Sequence, residues 1–423
     1  MQKTHDVKEY SSDKVILVTI VLREDVEKGW GLEDTHAEFK ELALSSGVKI
    51  VDELMVKIDV PKPKYFLGKG KIEEIREVIQ ANGKDIKAVI ISENLSGTQQ
   101  RNLEELLSVK VLDRTQLILD IFSQRAHTNE GKLQVELAQL EYMLPRLSGL
   151  GIKLSRLGGG IGTRGPGEKM LETDRRGLRR KIKYLKADLD SLSKRRNKLR
   201  SNRSEHSVVT VAVIGYTNAG KSTLLNNLTE SDVIADNRLF STLDLTARRY
   251  VLDNNQKILF VDTVGFIHKL PHNLIEAFKA TLEEVKEADL LLHVLDISNP
   301  KANEHRAAVY EVLKELRAHE KPMVTALNKA DLLQDGFVAN RFQRDISDSL
   351  AVSAKKGTAL KELIGLISRR IPVLTKTIEE LIPYGKMSIL SQIYEQGEVL
   401  LRQDTDKGIY IKAVIPHHLN LKI

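Results

Sequence analysis

Gly215-Tyr216-Thr217-Asn218-Ala219-Gly220-Lys221-Ser222 lies between the apolar run 208–214 and the amphipathic stretch 222–228. Strand, glycine-rich turn and helix in that order are the context a phosphate-binding loop requires. The stretch therefore predicts an α/β domain with a mostly parallel sheet, of the P-loop (Ras-like) kind. Gly215 and Gly220 let the backbone bend so that the N–H groups of Tyr216, Thr217, Asn218 and Ala219 face β- and γ-phosphates. The start of the helix adds positive partial charge at the same spot. Lys221 reaches the β/γ oxygens, and the Ser222 hydroxyl is placed to ligate Mg²⁺.

The motifs that follow specify the nucleotide. Asp262-Thr263-Val264-Gly265 comes after the strand-like run 257–261. An acidic residue there holds Mg²⁺ through its water shell, and the Gly265 N–H senses the γ-phosphate. Asn328-Lys329-Ala330-Asp331 follows the apolar run 323–327; Asp331 can accept both N–H groups of the guanine edge, which adenine does not offer. Ser353-Ala354-Lys355 follows Leu350-Ala351-Val352 and supplies a backbone N–H for the guanine carbonyl. Between loop and DxxG stands Phe240-Ser241-Thr242-Leu243-Asp244, where Thr242 takes the place of a switch threonine on Mg²⁺. Five elements in this order imply a GTP site, with Lys221, Thr242 and Gly265 as the candidate catalytic residues. Phe266 directly follows Gly265, at the position where Ras-like enzymes carry a water-orienting Gln. Phe266 can neither donate nor accept, so unaided hydrolysis is expected to be slow and a partner or a cation to supply the rest. Asn218 sits where potassium-stimulated G proteins place a K⁺ ligand; the alternative is that it braces the loop.

With 423 residues the chain has room for about three domains. It contains no cysteine, which excludes disulfides and thiolate metal sites. The polar start Met1–Tyr10 is no signal peptide, and the longest apolar run, Val15–Leu22, is too short to span a bilayer. A soluble, cytoplasmic protein without membrane insertion is the expectation.

Charge is unevenly spread. Residues 153–206 hold 17 Lys and Arg against 6 Asp and Glu, while the whole chain is only +7, so the remainder is net acidic. Leu133, Leu137, Leu140, Leu144 and Leu147 form a helical seam, continued by Leu171, Leu178, Ile182, Leu185, Leu189, Leu192 and Leu199. Between them 158–167 is glycine-rich and is expected not to be helical. The pattern predicts an antiparallel helical hairpin with a glycine-rich tip, Pro145 ending or kinking its first helix. Its basic second helix favours nucleic acid over a merely solvated face. Gly160, Gly162 and Gly165 also spell the dinucleotide pattern, but after a helix rather than a strand, so that reading fails its context. Ahead of the hairpin, strand-like runs at 15–22, 50–60, 86–91 and 110–112 alternate with helical ones at 35–45, 70–81 and 97–107, an α/β layer arrangement. Asp113, Arg114 and Asp120 read there as structural. The expected domains are an N-terminal α/β subdomain (1–128), the basic hairpin (129–206), the G domain (207–373) and a small α+β domain (374–423) with one helix and a hairpin.

The chain resembles the HflX GTPases of the Obg–HflX group. The likeness rests on Pro63 to Lys71, Leu112 to Thr115 with Ile118 to Phe122, Glu130 to Gln139, Gly159 to Glu168, Leu171 to Arg176 and Asp262 to Phe266. The resemblance implies a cytoplasmic GTPase that binds the ribosome, chiefly the large subunit and its rRNA, and splits or rescues stalled ribosomes. It implies a monomer with no DNA partner. Some members also hydrolyse ATP through the N-terminal region. Departures are Leu245 for the usual Pro, His268 for Arg, and Lys169-Met170 for Thr-Gln; none is a phosphate or guanine ligand. The alternative reading is a GTP-controlled switch that binds another RNA or a protein.

Overall fold

The computed structural model describes residues 13–83, 85–147, 166–205, 208–229, 239–240, 246–253, 256–269, 271, 274, 279–372, 375–416 and 419. They form two compact units. The first holds the described chain up to Asp190 together with Leu239, Phe240, Lys269, Pro271 and Leu274; the second holds the remainder.

The first unit is built on four parallel strands, β1 Lys14–Leu22, β2 Lys49–Ile58, β3 Ile86–Ile91 and β4 Lys110–Leu112, in the order β2-β1-β3-β4. Eight of the nine β1 residues are buried, as a run apolar at nearly every position requires of a strand covered on both faces. The helices α1 Arg23–Glu27, α2 Leu32–Ser45, α3 Lys69–Ala81, α4 Gly97–Leu107 and α5 Arg114–Arg125 connect and follow the strands. Two of them begin at capping boxes legible in the sequence, Ser96 with Gln99 and Asp113 with Gln116. Asp113 also accepts from Leu95 N at 3.1 Å and pairs with Arg146 at 3.1 Å, and Arg114 pairs with Glu38 at 2.7 Å. Both residues are structural, as their place in the sequence suggested.

Helix α6 Asn129–Arg146 carries Pro145 in its last turn, where the helix ends. Helix α7 runs from Pro166 to Glu205. Its first two residues were expected to stay outside any helix; a proline at the first helical position has no N–H to lose there, so the helix opens on it. The rest of the glycine-rich tip lies outside the described residues. Along α7, Leu185 is buried at 6 % and Leu178, Ile182, Leu189 and Leu192 are partly buried, while Arg176, Arg179, Arg180, Lys181, Lys183 and Lys186 are exposed. Lys181 pairs with Glu136 of α6, and Lys186 pairs with Glu141 at 2.7 Å.

The second unit contains a six-stranded sheet in the order β10-β9-β8-β5-β7-β6. Its strands are β5 Val209–Gly215, β6 Thr246–Val251, β7 Lys257–Asp262, β8 Leu290–Asp296, β9 Met323–Asn328 and β10 Ser349–Ala351. All pair in parallel except the edge strand β6, which is antiparallel to β7. Around the sheet lie α8 Lys221–Thr229, α9 Lys279–Glu287, α10 Ala302–Glu315, α11 Phe337–Asp345 and α12 Leu360–Arg370. Its core joins Val211, Val213, Leu225, Phe260, Leu292 and Leu363. The last segment is an antiparallel sheet β11-β13-β12, made of β11 Thr375–Ile382, β12 Glu398–Thr405 and β13 Gly408–Pro416, with α13 Met387–Gln396 against it. The expected helix and hairpin are there; β11 is an addition to them.

Candidate nucleotide site

The site is built at the C-terminal ends of β5, β7 and β9, where connecting loops of an open α/β sheet gather. The loop 215–222 leaves β5 and turns into α8. Gly220 has φ +93°, and a Cβ there would lie 2.4 Å from Asn328 Nδ2, so both conformation and space demand glycine. Lys221 Nζ donates to the carbonyl oxygens of Gly215 at 3.2 Å and Tyr216 at 2.9 Å. Burial holds its pKa down to about 8, opposed by the negative charge of Asp262.

The DTVG segment runs beside the loop. Thr217 N donates to Phe266 O at 2.7 Å and Phe266 N to Gly215 O at 3.1 Å. This brings Gly265 so close that a Cβ on it would lie 2.9 Å from Thr217 Cγ2 and 3.0 Å from Lys221 Nζ. Val264 and Phe266 are buried, Phe266 at 1 %, so the ring is a packing group. Ser222 Oγ donates to Asp262 Oδ2 at 2.9 Å, and Thr263 Oγ1 donates to Val213 O at 2.7 Å. A hydroxyl beside a carboxylate is a hard-oxygen pair suited to Mg²⁺. Among the described residues no group of three or more His, Cys, Asp or Glu could hold a metal by itself. That leaves room for a cation completed by phosphate oxygens and water.

The base-end motifs are brought to the same loop by one side chain. Asn328 Nδ2 donates to Ala219 O at 2.8 Å, and its Oδ1 accepts from Ala354 N at 2.9 Å. Asp331 Oδ1 accepts from Ser353 Oγ at 2.7 Å, leaving a carboxylate of which only 10 % is exposed. Ala330 N donates to Val352 O at 3.1 Å. Lys329, at φ +62°, extends to Asp296 Oδ2 at 2.7 Å. Lys355 is exposed. Asn218 is exposed at φ +59°, and its amide has no partner among the described residues.

Ser241, Thr242, Leu243 and Asp244 lie outside the described residues. Phe240 sets its ring edge-on to that of Phe122, with centroids 4.8 Å apart. Three contributors escaped the sequence reading. Asn227 donates to Ala354 O, Asp296 holds Lys329, and the His305 ring stacks on Tyr216 at 3.9 Å. An Asn or a His in a helix carries no signal of such contacts.

His293, on β8, is 1 % exposed, and neither ring nitrogen has a partner among the described residues. Burial, with Arg306 and Lys221 adding, pushes its pKa down to about 3; burial takes His305 down to about 4, against Asp296 and Glu304. The unfolded chain takes up these protons near pH 6.5, whereas the native state stays neutral to pH 3–4. Stability is therefore fullest above pH 6.5 and falls as the pH drops, by roughly 2 kcal/mol at pH 5 for His293 and less for half-buried His305. Denaturant melts at pH 7.5 and 5.0 should show His293→Leu removing most of the acid loss. A variant as acid-sensitive as its parent would refute this.

Residues 33–123, 125–203 and 210–329 match, in turn, the families described as GTP-binding GTPase N-terminal, GTP-binding GTPase Middle Region and 50S ribosome-binding GTPase. The chain is 46 % identical over 403 residues to the GTPase HflX of Caldanaerobacter subterraneus subsp. tengcongensis, covering 95 % of this chain and 91 % of that protein. It is 44 % identical to the GTPase HflX of Escherichia coli over 364 residues, covering 85 % and 83 %. A solved GTP-binding protein from Sulfolobus solfataricus, in complex with GDP, aligns with TM-score 0.42 and 26 % identity, covering 84 % of this chain and 97 % of that one. Likeness along nearly the whole length, on a phosphate loop and guanine motifs joined through Asn328, establishes that the chain belongs to the HflX family of P-loop GTPases.

Proposed function

We propose that this GTPase acts on the ribosome, through its large subunit, in the cytoplasm and as a monomer, and that GTP sets when it binds. The observation that carries the reading is α7, a forty-residue helix whose exposed face is rich in arginine and lysine. It stands directly before a stretch matching the 50S ribosome-binding GTPase family. Residues 210–329 also include the phosphate loop, so the nucleotide site and the basic helix are neighbours in sequence. Among the described residues no helix is long and apolar enough to cross a membrane.

In this reading Lys221 and the loop N–H groups hold the β/γ-phosphates, Gly265 N–H reads the γ-phosphate, and Asp331 with Ala354 N reads guanine. Ser222 and Thr242 would ligate Mg²⁺, with Asp262 acting through a water. When bound, the ion would supply positive charge against that developing on the transferred phosphoryl group. Phe266 offers no group to orient water, so an ordered switch, a docked partner or a monovalent cation is needed for fast turnover; a supplied arginine gives roughly 10³–10⁵-fold in Ras-like enzymes. The unpartnered amide of Asn218 is available to a K⁺ ion, and equal turnover in K⁺ and Na⁺ would remove that ligand.

The test is co-sedimentation with purified large subunits in GTP analogue and in GDP over a salt series. Binding should favour the analogue and weaken with salt, with a shallower slope once Arg176, Arg179, Arg180 and Lys183 are replaced by Gln. Binding indifferent to nucleotide and to these replacements would instead favour a switch on another RNA or protein.

A further inference from the structure

Tyr216 stands second in the phosphate loop, and its side chain is only 4 % exposed. The strand pairing explains where that side chain goes. Beyond β5 and β7 the two chains stay in parallel register for one further pair, Tyr216 opposite Phe266. Phe266 N donates to Gly215 O at 3.1 Å, and Thr217 N donates to Phe266 O at 2.7 Å. In a parallel ladder the next N–H on this edge is two residues on, at His268, and its partner would be Thr217 O. The loop turns away at Asn218, in the left-handed region at φ +59°, and the ladder stops. His268 N donates instead to Tyr216 Oη at 2.7 Å, so the phenol stands in for the missing rung.

The ring that carries this oxygen is itself held. His305, on α10, lies flat against it, with centroids 3.9 Å apart and planes 5° apart. A ring packed on its face in this way swings little, which keeps the oxygen at His268 N. At the other end of the segment Thr263 Oγ1 donates to Val213 O at 2.7 Å. Gly265 lies between these two ties, pressed so near the loop that a Cβ would stand 2.9 Å from Thr217 Cγ2. All of these residues belong to the second compact unit.

We propose that the Tyr216 phenol is a positioning residue for GTP hydrolysis, holding the backbone from Gly265 to His268 against the phosphate loop. The proposal rests on the reading of the Gly265 N–H as the group that meets the γ-phosphate. Phosphoryl transfer is catalysed mostly by positioning and charge, and a misplacement of about 1 Å can cost roughly 10²-fold. Phe266 has no group to aim at water, so a fixed backbone on either side of it carries more of that positioning than in an enzyme with Gln there. GDP has no γ-phosphate and makes no use of the segment. If Tyr216 only filled the space between β5 and α10, the ring alone would serve and the hydroxyl would be idle.

Tyr216→Phe separates the two roles, since it keeps the ring and the His305 stack and removes only the acceptor. Single-turnover GTP hydrolysis and GDP affinity are measured on the full chain at fixed Mg²⁺. Hydrolysis should slow by about tenfold or more, with GDP affinity within about threefold of the parent. His305→Ala, which frees the ring, should slow hydrolysis in the same direction, and His305→Phe, which restores a flat neighbour, should recover most of the rate. A folded Tyr216→Phe chain that hydrolyses GTP at the parent rate overturns the proposal. So does a loss of GDP affinity as large as the loss of rate, which would make Tyr216 part of the loop's shape alone. Should Tyr216→Phe fail to fold, the His305 pair decides, and equal rates in its Ala and Phe variants are the overturning result. Gly265→Ala checks the underlying reading by itself: hydrolysis at the parent rate there would fail the γ-phosphate role of Gly265, whatever the phenol does.

Discussion

Lys221→Ala is expected to lower GTP turnover by roughly 10²–10³-fold, the scale seen when one preorganised donor to developing negative charge is removed from an active site. The chain should remain folded. Burial has already pushed the Lys221 ammonium down to a pKa of about 8, so taking it away relieves a desolvation cost. Its two acceptors are not orphaned by the change. Gly215 O still accepts from Phe266 N, and Tyr216 O from Ala219 N. Phosphate release measured beside a thermal melt separates the two effects. Turnover within tenfold of the parent in a folded variant would remove Lys221 from the mechanism.

Asp331→Asn should weaken GTP by a comparable factor through the opposite end of the nucleotide. A carboxylate accepts from both guanine N–H groups, whereas an amide presents one acceptor and one clashing donor. Two charge-assisted hydrogen bonds at about 1.5–3 kcal/mol each amount to roughly 10²–10⁴ in affinity. The Asn can still accept from Ser353 Oγ, which bonds Asp331 Oδ1 at 2.7 Å, so the local fold is kept. A purine with a carbonyl in place of the 2-amino group offers an acceptor to the new amide, and xanthosine triphosphate should bind the variant better than GTP. Unchanged GTP affinity in titration calorimetry would show that Asp331 does not face the base.

Much of this was legible because it is local. The β1 run is apolar at nearly every position, and a fully covered strand leaves no other reading. The phosphate loop and the guanine motifs are short, and their chemistry lies in residue type and order. What escaped depends on partners far away in the chain. Lys269 and Asp25, an ion pair at 2.7 Å, are 244 residues apart, and nothing near either announces the other. Phe240 and Phe122 are likewise far apart in sequence, and nothing near either gives their ring contact. Strand β11 was missed for another reason. Thr375-Lys-Thr-Ile-Glu-Glu-Leu-Ile382 mixes charge with apolar residues, as an edge strand does, and the alternation is broken by adjacent glutamates.

The Asn328 amide has a consequence for how fast nucleotide can be exchanged. By bonding Ala219 O and Ala354 N at once, it fixes the phosphate cradle and the guanine-reading turn relative to each other. Little ordering entropy is then left to lose when nucleotide arrives, so the pocket is preorganised for both ends of its ligand. A cradle that need not assemble can capture nucleotide at close to the encounter rate, which leaves residence time as the quantity a partner can adjust.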